Sequence, residues 1–533
     1  MSADAVATAS AASAAPRPAP ARGPAALTAL TRRASLNAAA ALVDYAAKIA
    51  VGLLLTPLLV STLGRTLFGA WEMLTRLAGY VSATDGRPTE AVRLVIAQRQ
   101  ASDDGAAKRR LVGAALAVWV LVLPLVLIGG TILVALAPAI TKVPAEFRTD
   151  VRLCAGLLIA TSLATALASV PEAVLRGSNL GYKRMGLQAT LNLLGGGLAA
   201  GAVVAGLGLS GLGGAQVIRA GAAGVLFWLL VRAHVQWFRI ARPALAEVKA
   251  LFRMSVWLAA GDLIAKAVLA SDVIILGAVL APDHVTTYVL STYAARLAVG
   301  IHVFTAGAAI PGVGGMLGTG QLTRAAQARR ELLTLTWLFG TAAGTTILLW
   351  NRAFLTLWVG PENYVGGVIN LLIVVIAAQT AFIRVDAFLL DAALRPRQRV
   401  MVSAGAAVLT IGLGIPLTRA FGVAGLCTAL LIGRATQSVA YPLLVRGSLG
   451  EARRLPVAGI EMVRLTAVTA GLFILATVLS DHLPIETWAG WMAGVAVTLP
   501  ACGAVALATG PAAATRASLV RRLTTAARGI RRP

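Results

Sequence analysis

Residues 36–63 read LNAAAALVDYAAKIAVGLLLTPLLVSTL, and residues 254–280 read MSVWLAAGDLIAKAVLASDVIILGAVL. Each is apolar over the about 20 residues that a helix needs to cross a hydrocarbon core about 30 Å thick. Each also holds an aspartate four residues ahead of a lysine, Asp44 with Lys48 and Asp262 with Lys266. Working outward, roughly fourteen such stretches run to Gly510. The expected spans are 36–63, 67–97, 111–138, 151–175, 185–206, 211–232, 254–280, 285–310, 332–358, 366–391, 400–419, 422–446, 460–480 and 487–510. Composition agrees: 58% of residues are hydrophobic and 13% charged, and the mean hydropathy is +0.80. Such a chain cannot cover itself with a soluble surface. No long alternation of period two suggests a β-barrel, so the expectation is an all-α polytopic membrane protein with about fourteen transmembrane helices.

The net charge of +25 is distributed by side of the membrane. Basic residues crowd every second gap: Arg99, Lys108 to Arg110, Lys183 and Arg184, Arg232 to Arg253, Arg324 to Arg330, Arg395 to Arg399, Arg446 to Arg454, and Arg516 to Arg532. The opposite gaps hold Arg65, Lys142, Arg148 and Arg419, diluted by Glu146, Asp150, Asp283, Glu362, Asp481 and Glu486. By the positive-inside rule the basic side is cytoplasmic, both termini included, in the cytoplasmic (inner) membrane. The charge therefore serves topology and anionic membrane lipids rather than nucleic acid. Residues 1–35 are rich in Ala and Pro, lack the apolar core of a signal peptide, and read as a disordered cytoplasmic tail. Residues 511–533 form a basic cytoplasmic tail.

An internal repeat organises the spans. The Asp-x3-Lys pair recurs at an offset of 218 residues, Gly208-x2-Gly211-Leu212 recurs as Gly422-x2-Gly425-Leu426, and Leu229 to Arg232 recurs as Leu443 to Arg446, the last two at an offset of 214. Two six-helix lobes in parallel repeat follow, 36–253 and 254–459, with two extra helices at 460–510.

Catalytic patterns are missing. The chain has no G-x4-G-K-[ST], H-E-x-x-H or G-x-S-x-G motif, and His234, His284, His302 and His482 make no ligand set. Cys154, Cys427 and Cys502 lie in or beside apolar spans without C-x-x-C spacing, which suits packing. No enzyme activity, metal or cofactor is expected. The informative residues are the intramembrane charges, because each costs at least ~2.5–3.5 kcal/mol to insert at the bilayer centre and usually faces a partner or a wet cavity. Asp44 with Lys48, Glu72 with Arg76, and Asp262 with Lys266 sit at i and i+4, where each pair can neutralise itself. Arg219, Arg296, Arg384 and Arg434 have no such neighbour, since Asp386 is too close to Arg384 to share its face. An arginine fork grips phosphate oxygens in pairs and stays charged. Asp85, Glu90 and Arg93 fall where Gly86 and Pro88 interrupt the second span, predicting a bend.

Four stretches resemble one family. They are Leu58-Leu59-Val60 through Leu63-Gly64 to Phe68-Gly69-Ala70-Trp71; Tyr80-Val81-Ser82 to Asp85-Gly86 and Ala91-Val92-Arg93; Val174-Leu175-Arg176-Gly177 with Tyr182; and Leu357-Trp358-Val359-Gly360-Pro361-Glu362-Asn363-Tyr364. The chain resembles the bacterial polysaccharide biosynthesis or oligosaccharide flippase family of the multidrug/oligosaccharidyl-lipid/polysaccharide exporter superfamily, from about residue 36 to 510. The resemblance implies a two-lobe bundle that alternates access and moves a polyprenyl-diphosphate-linked oligosaccharide to the outer leaflet. It also implies a cationic central cavity, which maps by helix position onto Lys48, Arg76, Lys266, Arg296 and Arg384. The long Ala/Pro-rich amino terminus departs from the family, as do Asp44 and Asp262, acidic groups in an anion pathway.

Two other readings share the scaffold. In a cation-coupled drug or metabolite exporter, Asp44, Asp262 or Asp386 binds a proton or cation and drives the cycle. In a membrane scaffold for polysaccharide assembly enzymes, a polymerase or ligase is the partner and charge reversal at Lys48 and Lys266 is harmless.

Overall fold

A computed structural model describes residues 24–83, 87–98, 104–178, 180–307, 309–393, 396–449, 459–483, 486–513 and 516–517. Asp85, Gly86, Arg99, Arg395, residues 1–23 of the expected tail and most of the basic tail lie outside them. The helices, in chain order, are α1 (Pro24–Ala83), α2 (Pro88–Gln98), α3 (Gly105–Thr141), α4 (Arg148–Gly177), α5 (Gly181–Val204), α6 (Gly208–His234), α7 (Leu245–Val279), α8 (Pro282–Ser291), α9 (Tyr293–Gly307), α10 (Ile310–Gly318), α11 (Leu322–Val359), α12 (Gly367–Ala392), α13 (Pro396–Ser448), α14 (Gly459–Leu479) and α15 (Trp488–Thr509). No strand occurs among the described residues.

Ten of these helices are long and apolar enough to cross a membrane, or eleven with the bent pair α8–α9 taken as one span. Two of them are double: α1 and α13 each join two helices at a non-helical glycine, Gly64 and Gly422. With α7 included, all fourteen expected spans fall on helices. The chain is an all-α, multi-pass membrane protein, and its outer faces present large apolar side chains such as Leu121, Ile128, Val225, Val439 and Val497. In lipid that exposure costs nothing, and the helical backbone satisfies its own polar groups.

Three departures from the expected spans have local causes. The helix α1 begins at Pro24 rather than near residue 36, because Pro at the first helical position and the Ala/Leu-rich residues after it favour helix. The second span is interrupted before α2 at Pro88, as predicted. The eighth span is bent by 49° between α8 and α9, with no glycine or proline at the bend. There the Ser291 carbonyl accepts from Asn351 Nδ2 at 3.0 Å, and Ser291 Oγ accepts from Val365 N at 3.2 Å while donating to Asn363 O at 3.1 Å. Polar groups from α11 and the following loop thus stabilise the broken helix.

The repeat has a conformational counterpart: Gly208 and Gly422, equivalent in the two motifs, both adopt φ +58°, a left-handed geometry that glycine enters without a Cβ penalty. In the first copy the turn is capped from a distance. Both carboxylate oxygens of Asp150 accept backbone N–H groups at the start of α6, from Leu209 and Ser210, each at 2.9 Å. Asp150→Ala leaves those donors unpaired and is expected to lower unfolding stability by about 1 kcal/mol; an unchanged melting temperature of the purified variant would refute the cap.

The two halves of the chain meet along α1, with α7 and α8 packed against it. At one end Thr66 Oγ1 donates to Asp283 Oδ1 at 2.7 Å, Arg65 Nη2 donates to Thr287 Oγ1 at 2.6 Å, and Lys142 Nζ donates to Leu280 O at 2.9 Å. At the basic end Arg87 and Arg110 pair with Asp262 and Glu247 of α7, at 2.8 and 3.0 Å. The last two helices rest mainly on α11. Trp337 and Trp350 donate their indole N–H to Thr469 and Thr498, at 2.9 and 2.8 Å. Arg330 pairs with Glu461 at 3.3 Å, and Phe354 packs against Trp488 and Trp491.

Candidate functional site

The i,i+4 pairs form as their spacing dictates. Lys48 Nζ lies 2.9 Å from Asp44 Oδ2, and the other oxygen of Asp44 accepts from Asn192 Nδ2 of α5 at 2.6 Å. The Lys48 side chain remains 55% exposed. Arg76 Nη2 lies 3.6 Å from Glu72.

Lys266 is bound more tightly. Its ammonium donates to the Gly79 carbonyl at 2.7 Å and to Ser82 Oγ at 3.2 Å, and lies 3.1 Å from Asp262 Oδ2. That oxygen makes no hydrogen bond, so the Lys266–Asp262 pair is a charge contact without hydrogen-bond geometry. Tyr80 OH donates to the Lys266 carbonyl at 3.0 Å, so the residues of one turn of α1 clasp one turn of α7. The other oxygen of Asp262 takes Arg87 at 2.8 Å. Arg87 has φ +47°, an uncommon conformation for a non-glycine residue and strained just before a proline. The Asp262 ion pair therefore sits on a strained joint, immediately before α2.

A second acidic centre lies deeper in α7. Asp272 is buried, accepts from Tyr288 OH at 3.0 Å, and stands 3.6 Å from Arg296. Its charge reaches Tyr80, as does that of Arg76, which links the Lys266 clasp to the Arg296 pair. Arg434, 8% exposed, lies in the fields of Asp272 and Arg296 and donates to Thr380 Oγ1 at 2.7 Å.

Arg384 stands apart from Lys48 and Lys266. It lines a cavity of about 80 Å³ between α7, α12 and α13, with Arg399 and Arg434. Asp386 faces elsewhere: its two oxygens take Arg329 of α11 as a fork, at 2.7 and 3.0 Å. The five cations named from sequence therefore do not form one ring. Arg76, Lys266 and Arg296 share the α1–α7 junction and its immediate neighbourhood, Lys48 is held beside Asp44, and Arg384 belongs to the cavity.

Sequence reasoning passed over Asp272, Arg87, Arg329 and Asn192. Asp272 had a signal, being the second of two carboxylates inside the apolar stretch 254–280. Arg87 stands in the break that Gly86 and Pro88 announced. Among the described residues no group of His, Cys, Asp and Glu could hold a metal ion.

No protein-family model and no curated protein matches the chain. Solved structures do. A lipid II flippase MurJ in an inward closed conformation superposes with a TM-score of 0.68 at 9% identity, over 87% of this chain and 98% of that one. An inward-facing multidrug resistance MATE family transporter of the MOP superfamily gives 0.60 at 15% identity, over 78% of this chain and all of the other. The eukaryotic MATE transporter AtDTX14 gives 0.53 at 15% identity, over 79% of this chain and 96% of that one. The fold, an all-helical membrane bundle, is that of the MATE and MurJ proteins of the MOP superfamily.

Proposed function

We propose that the protein is a flippase that carries a polyprenyl-diphosphate-linked oligosaccharide across the cytoplasmic membrane by alternating access, for export of cell-surface polysaccharide. The observation that carries this reading is the Lys266 clasp with its neighbours Arg76 and Arg296, cations gathered where the two halves of the chain meet. A diphosphate offers oxygens to all three, and the prenyl tail stays in lipid. Residues 36–253 and 254–459 act as the two lobes, and residues 460–510 as an accessory pair. The bonds of Arg65, Thr66 and Lys142 seal the end expected to be extracytoplasmic, while Arg87–Asp262 and Arg110–Glu247 tie the cytoplasmic end. Exchange of one set of ties for the other moves the head group across. Lys48, the most exposed cation of the set, meets the incoming head group first. Both termini lie in the cytoplasm, and a polysaccharide polymerase or ligase takes the product.

The alternative is a cation-coupled multidrug or metabolite exporter. It draws on Asp262, an acidic group where the two halves of the chain meet, whose Oδ2 is buried without a hydrogen bond. Complementation of a strain lacking its flippase separates the two, with lipid-linked sugar assayed on each leaflet. Arg296→Ala is expected to cut outer-leaflet sugar by about 10- to 100-fold, the worth of one charge-assisted bond of about 1.5–3 kcal/mol. Equal outer-leaflet sugar with and without the wild-type protein rules out this substrate.

A further inference from the structure

Three guanidinium groups, Arg384, Arg399 and Arg434, line the cavity of about 80 Å³ between α7, α12 and α13. Among the described residues one carboxylate is bound to any of them, Asp391, 2.7 Å from Arg399. Arg434 spends a donor on the neutral Thr380, and its nearest acid, Asp272, is already engaged by Arg296 and Tyr288. Arg384 has neither a hydrogen bond nor an ion pair among the described residues, yet it feels the like charges of Arg399 and Arg434. The acid next to it in sequence, Asp386, is taken by Arg329 on another face. Gln437 and Tyr441 complete a polar wall, the amide donating to the phenol oxygen at 3.2 Å. Three cations converging on a cavity with one bound carboxylate leave a net positive charge there, although Asp391 and Asp272 also act on Arg384 and Arg434 through space.

The geometry points to a binding site for a phosphate-class oxyanion in this cavity, either a free phosphate or diphosphate or the phosphate of a lipid head group. Guanidinium forks match phosphate oxygens in pairs. The volume accommodates a phosphate-sized group with a little water. Arg399, one of the lining residues, lies near the start of α13, at the basic end of the bundle. The site goes beyond the flippase reading, because it concerns what the second half of the chain holds and not what crosses between the halves.

Binding is the test, independent of any transport assay. The purified full chain in detergent is titrated with inorganic diphosphate at constant ionic strength while thermal unfolding is followed, and native mass spectrometry reads any retained phospholipid. Wild type is expected to show a saturable rise of several degrees, or a retained phospholipid that diphosphate displaces. The first without the second identifies a free anion as the occupant, and the second identifies a head group. Arg384→Gln is expected to lose either effect by at least tenfold in apparent affinity and, freed of like-charge contact, to melt no lower than wild type without ligand. Arg399→Gln, at the rim, serves the same comparison if Arg384→Gln fails to fold. No saturable rise and no retained lipid in wild type overturns the proposal, as does an effect undiminished in the variants.

Discussion

Under the proposed function, Lys266→Glu is expected to cut outer-leaflet delivery of the lipid-linked sugar by at least ~100-fold, the equivalent of about 2.7 kcal/mol. The substitution removes the donor to Gly79 O and Ser82 Oγ and sets a carboxylate beside Asp262, whose oxygen lies 3.1 Å from the lysine nitrogen. At an effective dielectric constant near 20, two like charges about 4 Å apart repel by about 4 kcal/mol. Loss of two bonds and gain of that repulsion are expected to separate α1 from α7 and to remove a cation from the path proposed for the head group. Lys266→Arg keeps the charge and retains most of the activity. Outer-leaflet sugar within about twofold of wild type for Lys266→Glu, at equal protein level, would leave the clasp without a role in transport.

Gly69→Ala gives the second large effect. A Cβ at Gly69 collides with the backbone carbonyl of Pro282, at the first residue of α8, and neither backbone can step aside without breaking the bonds of Arg65 and Thr66 to Thr287 and Asp283. Overpacking of this kind costs about 1–3 kcal/mol, and it falls on the state sealed at that end. The expected results are a lower melting temperature and a Thr66→Cys thiol that reacts faster with an impermeant maleimide. Gly79→Ala is the control, because a Cβ there meets nothing within 4 Å. If both glycine variants behave as wild type, the close approach of α1 and α8 carries no weight.

The spans were readable because a membrane imposes one length and one polarity on every crossing helix, and 36–63 and 254–280 display both. The local ion pairs were readable too, since helical spacing alone brings Asp44 to Lys48 and Glu72 to Arg76. What escaped depends on tertiary partners. The bend after Ser291 comes from Asn351 and from Asn363 to Val365, which no reading of residues 285–310 contains. Arg329 lies 57 residues from Asp386, and periodicity carries no information about which of several arginines will reach a given acid. For the same reason Arg384 could be named as a cation from sequence, while its company with Arg399 and Arg434 could not.

The fastening of α14 and α15 to α11 has a mechanical consequence. Indole hydrogen bonds, an ion pair and the aromatic stack around Phe354 rivet the appended helices to the second half of the chain, so they travel as ballast with any swing of that half. In the alternating access proposed above, that moving body would sweep a wider track through the lipid than twelve helices alone, and its pace would be tied to the viscosity and thickness of the surrounding bilayer.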